Sequence, residues 1–333
     1  MTHVPLTPLR WLTAWEIDLP MLAVAGLLVA GYLVGVRRAA TRGTSWPRAA
    51  TGWFLGAGVG SLVLATMSFL GVYDRVLMWP LATQDIVLMT FVPVGLTLGR
   101  PIALWRAGRP SVERPAHPVR DRVLRVLSFP LLGSLLAVTL LLLVYTTSWD
   151  LARLEHPALL QLTRLALLAA GCAFVWPLLG VDASTGRTSY PVRAFLAFLD
   201  GLLDAIPGLA VLGSHGLIAG DYYARVGRTW GPTLAQDQRL AGTAMVALSE
   251  LVGLPTLLVL VLAWVREDDR QARQSDAAEP VPVVAAQQPG VPAVAPPAQR
   301  PWWETDPGPL ADRAERYGWG SADRADQTDQ TDP

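Results

Sequence analysis

The sequence contains no lysine, a single cysteine (Cys172) and only 16% charged residues in a chain of 333. An average soluble domain carries roughly a quarter charged residues, so this deficit disfavours a soluble globular enzyme. A lone cysteine excludes an internal disulfide. Acidic and basic residues balance at 27 each, and the four histidines are few for a metal protein. The zero formal net charge disfavours nucleic acid as the main partner.

Long apolar runs take the place of the missing charge. A helix needs roughly 20 apolar residues to cross a bilayer core about 30 Å thick. Leu131–Val144 and Leu251–Val265 show no polar stripe at helical spacing, which a bundle of soluble helices would have. We therefore predict an all-α polytopic membrane protein, a seven-transmembrane-helix bundle embedded in the lipid bilayer. The predicted spans are 19–36, 51–72, 76–98, 127–147, 157–179, 192–218 and 240–265.

The loops suggest an orientation for this bundle. Arginine is concentrated after the first, third and seventh spans and before the sixth, and loops rich in arginine face the cytoplasm. We expect residues 1–18 to form an extracytoplasmic N-terminal segment and 19–265 the transmembrane domain, with the C-terminus in the cytoplasm. Residues 266–333 are rich in Pro, Ala, Gln and Asp, and they cannot bury enough apolar surface to offset chain ordering. We predict that they form a disordered cytoplasmic tail.

Several ionisable side chains lie inside the predicted spans. Each costs a few kcal/mol to insert, so such residues tend to face the bundle interior and to mark function. Asp200 and Asp204 are four residues apart and share one helical face. Two interpretations stay open: a buried ion pair that fixes helix register, and a functional polar site. The predicted intramembrane polar centre consists of Gln84, Asp85, Arg164, Asp200, Asp204 and Glu250.

Short motifs follow one another in a specific order along residues 10–270. They include Trp46-Pro47, Ala65-Thr66-Met67-Ser68, Trp79-Pro80, Leu98-Gly99-Arg100-Pro101, Trp176-Pro177, Asp221-Tyr222-Tyr223 and Asp237-Gln238-Arg239-Leu240-Ala241-Gly242. In this order and spacing the chain resembles the CtaG-type cytochrome c oxidase assembly factors in their actinobacterial form. The resemblance implies a protein of the bacterial plasma membrane that is not an enzyme. Such a protein helps to mature a haem–copper oxidase by aiding copper delivery, and its partner is an oxidase subunit or another assembly factor.

The copper chemistry of that family rests on histidines inside the spans, and this sequence departs from the pattern. The positions that the resemblance implies hold Leu81, Asp85, Leu160, Arg164 and Asp204 instead. Copper(I) prefers thiolate, thioether and imidazole ligands, so copper binding at this centre is doubtful. We hypothesise that an Asp85–Arg164–Asp204 salt-bridge network replaces the metal centre, because the planar guanidinium can bridge two carboxylates. The remaining candidate copper ligands are His156, His215, Met78 and Met89.

Three functions therefore stay open. The first is an oxidase assembly factor that has lost copper binding, and the second is a copper carrier with rebuilt ligands. The third is a proton- or cation-coupled transporter that uses the buried carboxylates. Pro207-Gly208 and Pro255 could interrupt helices as in transporters, but the seven spans show no convincing internal repeat. The sequence contains no nucleotide loop, catalytic triad or closed metal-ligand spacing, so no enzymatic activity is predicted.

Overall fold

The computed structural model describes residues 4–108, 130–179 and 190–278. All regular secondary structure in these ranges is helical, which confirms the predicted all-α class. The helices are α1 (Arg10–Thr13), α2 (Leu19–Ala40), α3 (Arg48–Tyr73), α4 (Met78–Ala107), α5 (Pro130–Thr146), α6 (Trp149–Glu155), α7 (Pro157–Leu179), α8 (Tyr190–Gly213), α9 (Gly220–Val226) and α10 (Leu234–Ala278).

The membrane-spanning pattern agrees with the apolar runs. Over the described residues, six helices are long and apolar enough to cross a bilayer. A seventh span results if α5 and α6, which are bent by 75° at a short break, are counted as one broken helix. The seven predicted runs map onto α2, α3, α4, α5, α7, α8 and α10. Residues 127–129 of the fourth run lie outside the described residues.

Two predicted boundaries need correction. Helix α8 ends at Gly213, so residues 214–218 form a loop and not the end of the sixth span. Helix α10 continues to Ala278, although we expected a disordered tail from residue 266 onwards. Residues beyond 265 are charged but helix-forming, and Glu267 and Arg270 form an ion pair across one turn at 3.7 Å. The rest of the predicted tail, 279–333, lies outside the described residues.

The described residues up to Ala272 form one compact unit, and Arg273–Ala278 do not belong to it. Apolar side chains cover the outer faces of α8 and α10, where Phe195, Leu202, Leu254 and Leu258 are all more than half exposed. A soluble protein rarely exposes apolar surface this continuously. These faces are suited to lipid.

Small residues allow the interior helices to approach closely. A Cβ added to Gly95 of α4 would lie 2.2 Å from the backbone nitrogen of Gly58 in α3. A Cβ added to Gly171 of α7 would lie 1.9 Å from the carbonyl oxygen of Met89 in α4. Gly58 and Met89 lie in π-helical stretches, Trp53–Val59 and Val87–Phe91. Close contact at small residues is the usual way in which membrane helices pack.

Four segments meet at one end of the bundle, which we call the polar end: residues 4–18, 74–77, 147–156 and 214–233. The Tyr73 hydroxyl donates a hydrogen bond to the carbonyl oxygen of Val4 at 3.0 Å. The rings of Tyr73 and Trp230 meet edge to face, with centroids 5.8 Å apart. Arg225 pairs with Glu155 at 2.7 Å. These contacts join the first residues of the described chain to the loop before α10.

Candidate functional site

Two neighbouring side chains of α4, Gln84 and Asp85, contact two different buried arginines near the polar end. Both side chains are fully buried. The Gln84 Oε1 accepts a hydrogen bond from Arg164 Nε at 2.9 Å, and its Nε2 donates to the carbonyl oxygen of Ala65 at 2.7 Å. The Asp85 Oδ2 accepts from Arg153 Nη1 at 2.7 Å. Adjacent residues of one helix therefore connect two charge clusters.

The first cluster surrounds Arg164 of α7, a residue that is 2% exposed. Its Nη1 donates to Asp18 and its Nη2 to Asp74. Asp18 precedes α2 and caps it by accepting from Met21 N at 2.9 Å, and it also accepts from Gln161 Nε2 at 2.7 Å. Asp74 follows the last residue of α3. One arginine thus fixes the ends of two further spans.

The second cluster surrounds Arg153 of α6, which is completely buried. Arg153 pairs with Asp85 and with Asp150, in each case at 2.7 Å. The Tyr145 hydroxyl donates to Asp85 Oδ2 at 2.7 Å, and Arg153 lies 5.1 Å above the centre of the Tyr145 ring. A buried ion pair is stable only when hydrogen bonds of this kind offset its loss of hydration.

Another buried carboxylate caps α4 at the same end. Asp237 of α10 accepts from the backbone nitrogens of Met78 and Trp79, both at 3.1 Å, and pairs with Arg228 at 3.0 Å. Its neighbour Gln238 accepts from Ile218 N at 2.8 Å. The Asp237-Gln238 motif therefore holds the start of α4 and the loop after α8 against α10.

The carboxyl of Asp74, which lies outside the spans, has a raised pKa. Burial raises the pKa of the Asp74 carboxyl to about 6, because its ionised form loses hydration. The Arg164 guanidinium opposes this rise, and the Asp18 carboxylate adds to it. Asp74 is consequently a group at the polar end that titrates between acid and neutral pH.

The predicted polar centre divides into two separate groups. Gln84, Asp85 and Arg164 belong to the arginine clusters, whereas Asp200 and Asp204 of α8 lie next to each other, with Asp204 near Glu250 of α10. The hypothesised Asp85–Arg164–Asp204 network is wrong in its pairing. Arg164 points instead to the carboxylates at the ends of α2 and α3, and Asp85 is paired with Arg153 of α6.

The partners of these arginines were missed at the sequence level. Asp18 and Asp74 lie just outside the apolar runs, so they were assigned to loops. Asp150 and Arg153 fall in the short break between two runs, but their separation of three residues places them on one face of a helical turn. The strongest available signal was Asp18 directly before Leu19-Pro20, because an acidic residue ahead of a proline at the start of a helix is typical of an N-cap.

The four candidate copper ligands lie at different places in the fold. His156 and His215 are exposed in the loops of the polar end, whereas Met78 and Met89 are buried in α4. The helical rise of about 1.5 Å per residue separates these two methionines by about 16 Å, which is too far for both to bind one ion. Within the described ranges, no three or more His, Cys, Asp or Glu side chains are grouped so that they could hold a metal ion.

The positions where the resemblance implies histidines hold hard or apolar side chains. Leu81 and Leu160 belong to one hydrophobic cluster together with Leu141 and Leu167, and each is at most 1% exposed. Asp85 and Arg164 are already engaged in ion pairs. Carboxylate, guanidinium and leucine side chains do not fit copper(I), which prefers sulfur and imidazole.

Comparisons with known proteins show which sequences the chain is similar to. A family model described as cytochrome c oxidase caa3 assembly factor matches residues 30–267. Uncharacterized proteins of Mycobacterium bovis and Mycobacterium tuberculosis are each 28% identical to the chain over 283 residues, which is 82% of this chain. A Mycobacterium leprae protein is 26% identical over 277 residues. The chain spans 42% of the length of these relatives. No solved structure gives a significant match.

Proposed function

The chain belongs to the cytochrome c oxidase caa3 assembly factor family, and from this membership we propose that it assists the assembly of a haem–copper oxidase in the bacterial plasma membrane. It acts as a membrane-embedded partner of an oxidase subunit or of another assembly factor, and not as an enzyme. It contributes to the maturation of the copper site through these contacts, without binding copper at the buried centre.

One observation carries this proposal: Asp85 and Arg164 are held in buried ion pairs where the family resemblance implies metal-binding histidines. Arg153 and Arg164 together connect residues before α2, after α3, in α4 and in α6. A charge-compensated core of this kind favours a fixed shape at the polar end. A fixed surface is suited to docking a partner protein, and it does not require a metal.

We place the polar end on the extracytoplasmic side of the membrane. The arginine-rich loops lie at the opposite end of the spans and therefore face the cytoplasm. Trp11 and Trp15 are both about half exposed at the polar end, and tryptophan is enriched where a membrane protein meets the headgroup layer. In this orientation the N-terminus is outside, the C-terminus is inside, and the clusters around Arg153 and Arg164 lie towards the extracytoplasmic side.

Deleting the gene in its own host tests the proposal. We expect less assembled oxidase, measured as oxygen consumption by isolated membranes and as the haem absorbance of the oxidase. The wild-type chain should restore both signals, and unchanged oxidase in the deletion strain would overturn the assembly proposal. A deletion strain that carries an unrelated membrane protein is the matched control for expression.

Copper dependence needs a separate experiment. The purified chain, loaded with cuprous ions under anaerobic conditions, should hold no more copper than a control membrane protein. A variant with His156→Ala, His215→Ala, Met78→Leu and Met89→Leu should restore the oxidase as well as the wild type does. Stoichiometric copper that is lost in this variant, together with failed complementation, would instead identify a copper carrier with rebuilt ligands.

A further inference from the structure

Residues 9–19, which we call the pre-span segment, expose a run of large apolar side chains at the polar end. Leu9, Leu12, Ile17 and Leu19 are each at least 70% exposed, and Trp15 is 54% exposed. Clustered apolar side chains on a surface mark contact with another molecule or with a membrane. The depth of the segment and its hydrogen bonds distinguish these two occupants.

Backbone and ring contacts place the pre-span segment beside the last two turns of α3. The ring of Trp11 stacks on that of Phe69, with centroids 5.3 Å apart. The backbone nitrogen of Glu16 donates to the carbonyl oxygen of Met67 at 2.9 Å. Met67 precedes Tyr73, the last residue of α3, by six residues, or about 9 Å along the helix axis. The chain therefore descends along α3, and at Glu16 it lies within the length of this span.

The extended chain between α1 and α2 separates its side chains onto two faces. Ala14 and Asp18 both have extended backbone angles, and successive side chains of an extended chain point to opposite sides. Ala14 is buried in a cluster with Tyr73, and Asp18 is held by Arg164. Residues 15 and 17 lie on the opposite face, so their apolar side chains point away from the protein.

The polar groups of the pre-span segment need little water. The Trp15 Nε1 donates to the carbonyl oxygen of Leu12 at 2.9 Å, and the Thr13 hydroxyl donates to that of Leu9 at 3.0 Å. Such local bonds reduce the cost of moving polar groups out of bulk water. The Glu16 side chain is exposed, and a carboxylate is tolerated in the headgroup layer but not in the hydrocarbon centre. The segment is therefore suited to the boundary between the two layers.

The exposed apolar surface continues from the pre-span segment onto α2. Leu19, Leu22 and Leu27 of this helix are 71%, 44% and 74% exposed, and α2 is long and apolar enough to cross a bilayer. Lipid that surrounds α2 and α3 also reaches Trp15 and Ile17, because these side chains lie within the length of α3. This continuity with the lipid-facing surface favours phospholipid as the occupant over a protein that docks from the aqueous side.

We propose that the pre-span segment lies in the headgroup and upper acyl layer of the leaflet at the polar end, and that Leu12, Trp15 and Ile17 bind phospholipid there. The chain is thus immersed in the membrane before its first span begins. Because Asp18 directly follows Ile17, lipid contact at Ile17 holds this carboxylate against Arg164. The proposal is independent of the oxidase assembly function.

Spin labelling of the full-length chain in phosphatidylcholine vesicles tests the proposal. Cys172→Ala removes the one native thiol, which behaves as a small apolar residue, and a nitroxide is then attached to a single new cysteine in Leu12→Cys or Ile17→Cys. The measured quantity is the ratio of collisions with oxygen, which concentrates in hydrocarbon, to collisions with a water-soluble nickel chelate. Leu27→Cys in α2 is the lipid reference, and Asp221→Cys, at an exposed position of the polar end, is the aqueous reference.

We expect the oxygen-to-nickel ratio at both labelled positions to shift from the value at Asp221 towards the value at Leu27. Val4→Cys, at the level where α3 ends, should give a lower ratio than Ile17→Cys. All these positions are exposed, so the label meets no packed neighbour. A ratio at Ile17 that equals the ratio at Asp221 would overturn the proposal and leave the surface open to a partner protein. Equal ratios at Val4 and Ile17 would overturn it as well.

Discussion

The acidic residues of the polar end and those that lie within the spans α8 and α10, which we call the central acids, differ in what surrounds them. Asp18, Asp74, Asp85, Asp150 and Asp237 each contact an arginine, and Asp18 and Asp237 also cap a helix. Asp200, Asp204 and Glu250 lie near one another and form no ion pair within the described residues. Every member of the first set is therefore paired with a positive charge, whereas no member of the second set is paired with one in the described part of the chain.

The two sets of acidic residues should therefore have opposite effects on the stability of the fold. The ion pairs at the polar end connect α2, α3, α4, α6 and α7, so their loss should weaken the fold. The central acids connect few elements, and like charges at close range oppose folding. The same residue type therefore stabilises one region and strains the other, and single substitutions can distinguish the two cases.

The largest expected effect is that of Arg153→Met, which keeps part of the side-chain volume but removes the charge. Asp85 and Asp150 would then stay buried without a cation, and breaking a buried pair in this way costs about 3–5 kcal/mol. We expect a loss of that size in the free energy of unfolding, measured by chemical unfolding in detergent micelles, with a lower folded yield.

Arg225→Met is the matched control for this substitution. Arg225 pairs with Glu155 at 2.7 Å, as Arg153 does with Asp85, but the Arg225 side chain is 64% exposed. Exposed pairs contribute at most about 1 kcal/mol, so this variant should stay close to the wild type. Similar losses in the two variants would mean that the buried cluster contributes no more than a surface pair.

The second expected effect is a difference between two aspartates of similar burial. Asp85→Asn removes the partner of Arg153 and Tyr145, and we expect it to cost about 1–3 kcal/mol. Asp200→Asn removes a carboxylate that pairs with no cation in the described chain, so the free energy of unfolding should stay equal or increase. Both values come from the same unfolding measurement. A loss in Asp200→Asn that matched the loss in Asp85→Asn would show that the central acids are compensated after all.

The sequence was sufficient to predict the fold because membrane insertion depends on local composition. Runs of about 20 apolar residues identified the spans, and only helix ends shifted, as at Gly213 and Ala278. A helix end depends on caps and on contacts with other segments, neither of which a composition window detects.

The site could be predicted only in part. Gln84, Asp85 and Arg164 were identified as polar residues within apolar runs, which is a local signal. Their partners could not be identified in this way, because the pairs join residues far apart in the chain, as in the bond from Arg164 to Asp18. Arginine has a long side chain, so depth in the membrane did not determine which carboxylate it contacts.

The smallest expected effect concerns the pH dependence of the polar end. The pKa of Asp74 is raised to about 6 in the folded chain from an ordinary value of 3.8, so the folded state binds more protons than the unfolded state between these values. Its contribution to the free energy of unfolding is therefore greatest at low pH and is lost as the pH rises towards 6. Between pH 5 and pH 7 this one group should lower the stability by about 1 kcal/mol.

Unfolding titrations of the wild type and of Asp74→Asn across this range isolate the contribution, because every other group is shared. The difference between the two curves should decrease as the pH rises to 6 and level off above pH 6. Parallel curves would mean that Arg164 keeps Asp74 ionised at low pH, which would make this carboxylate as fully compensated as Asp85.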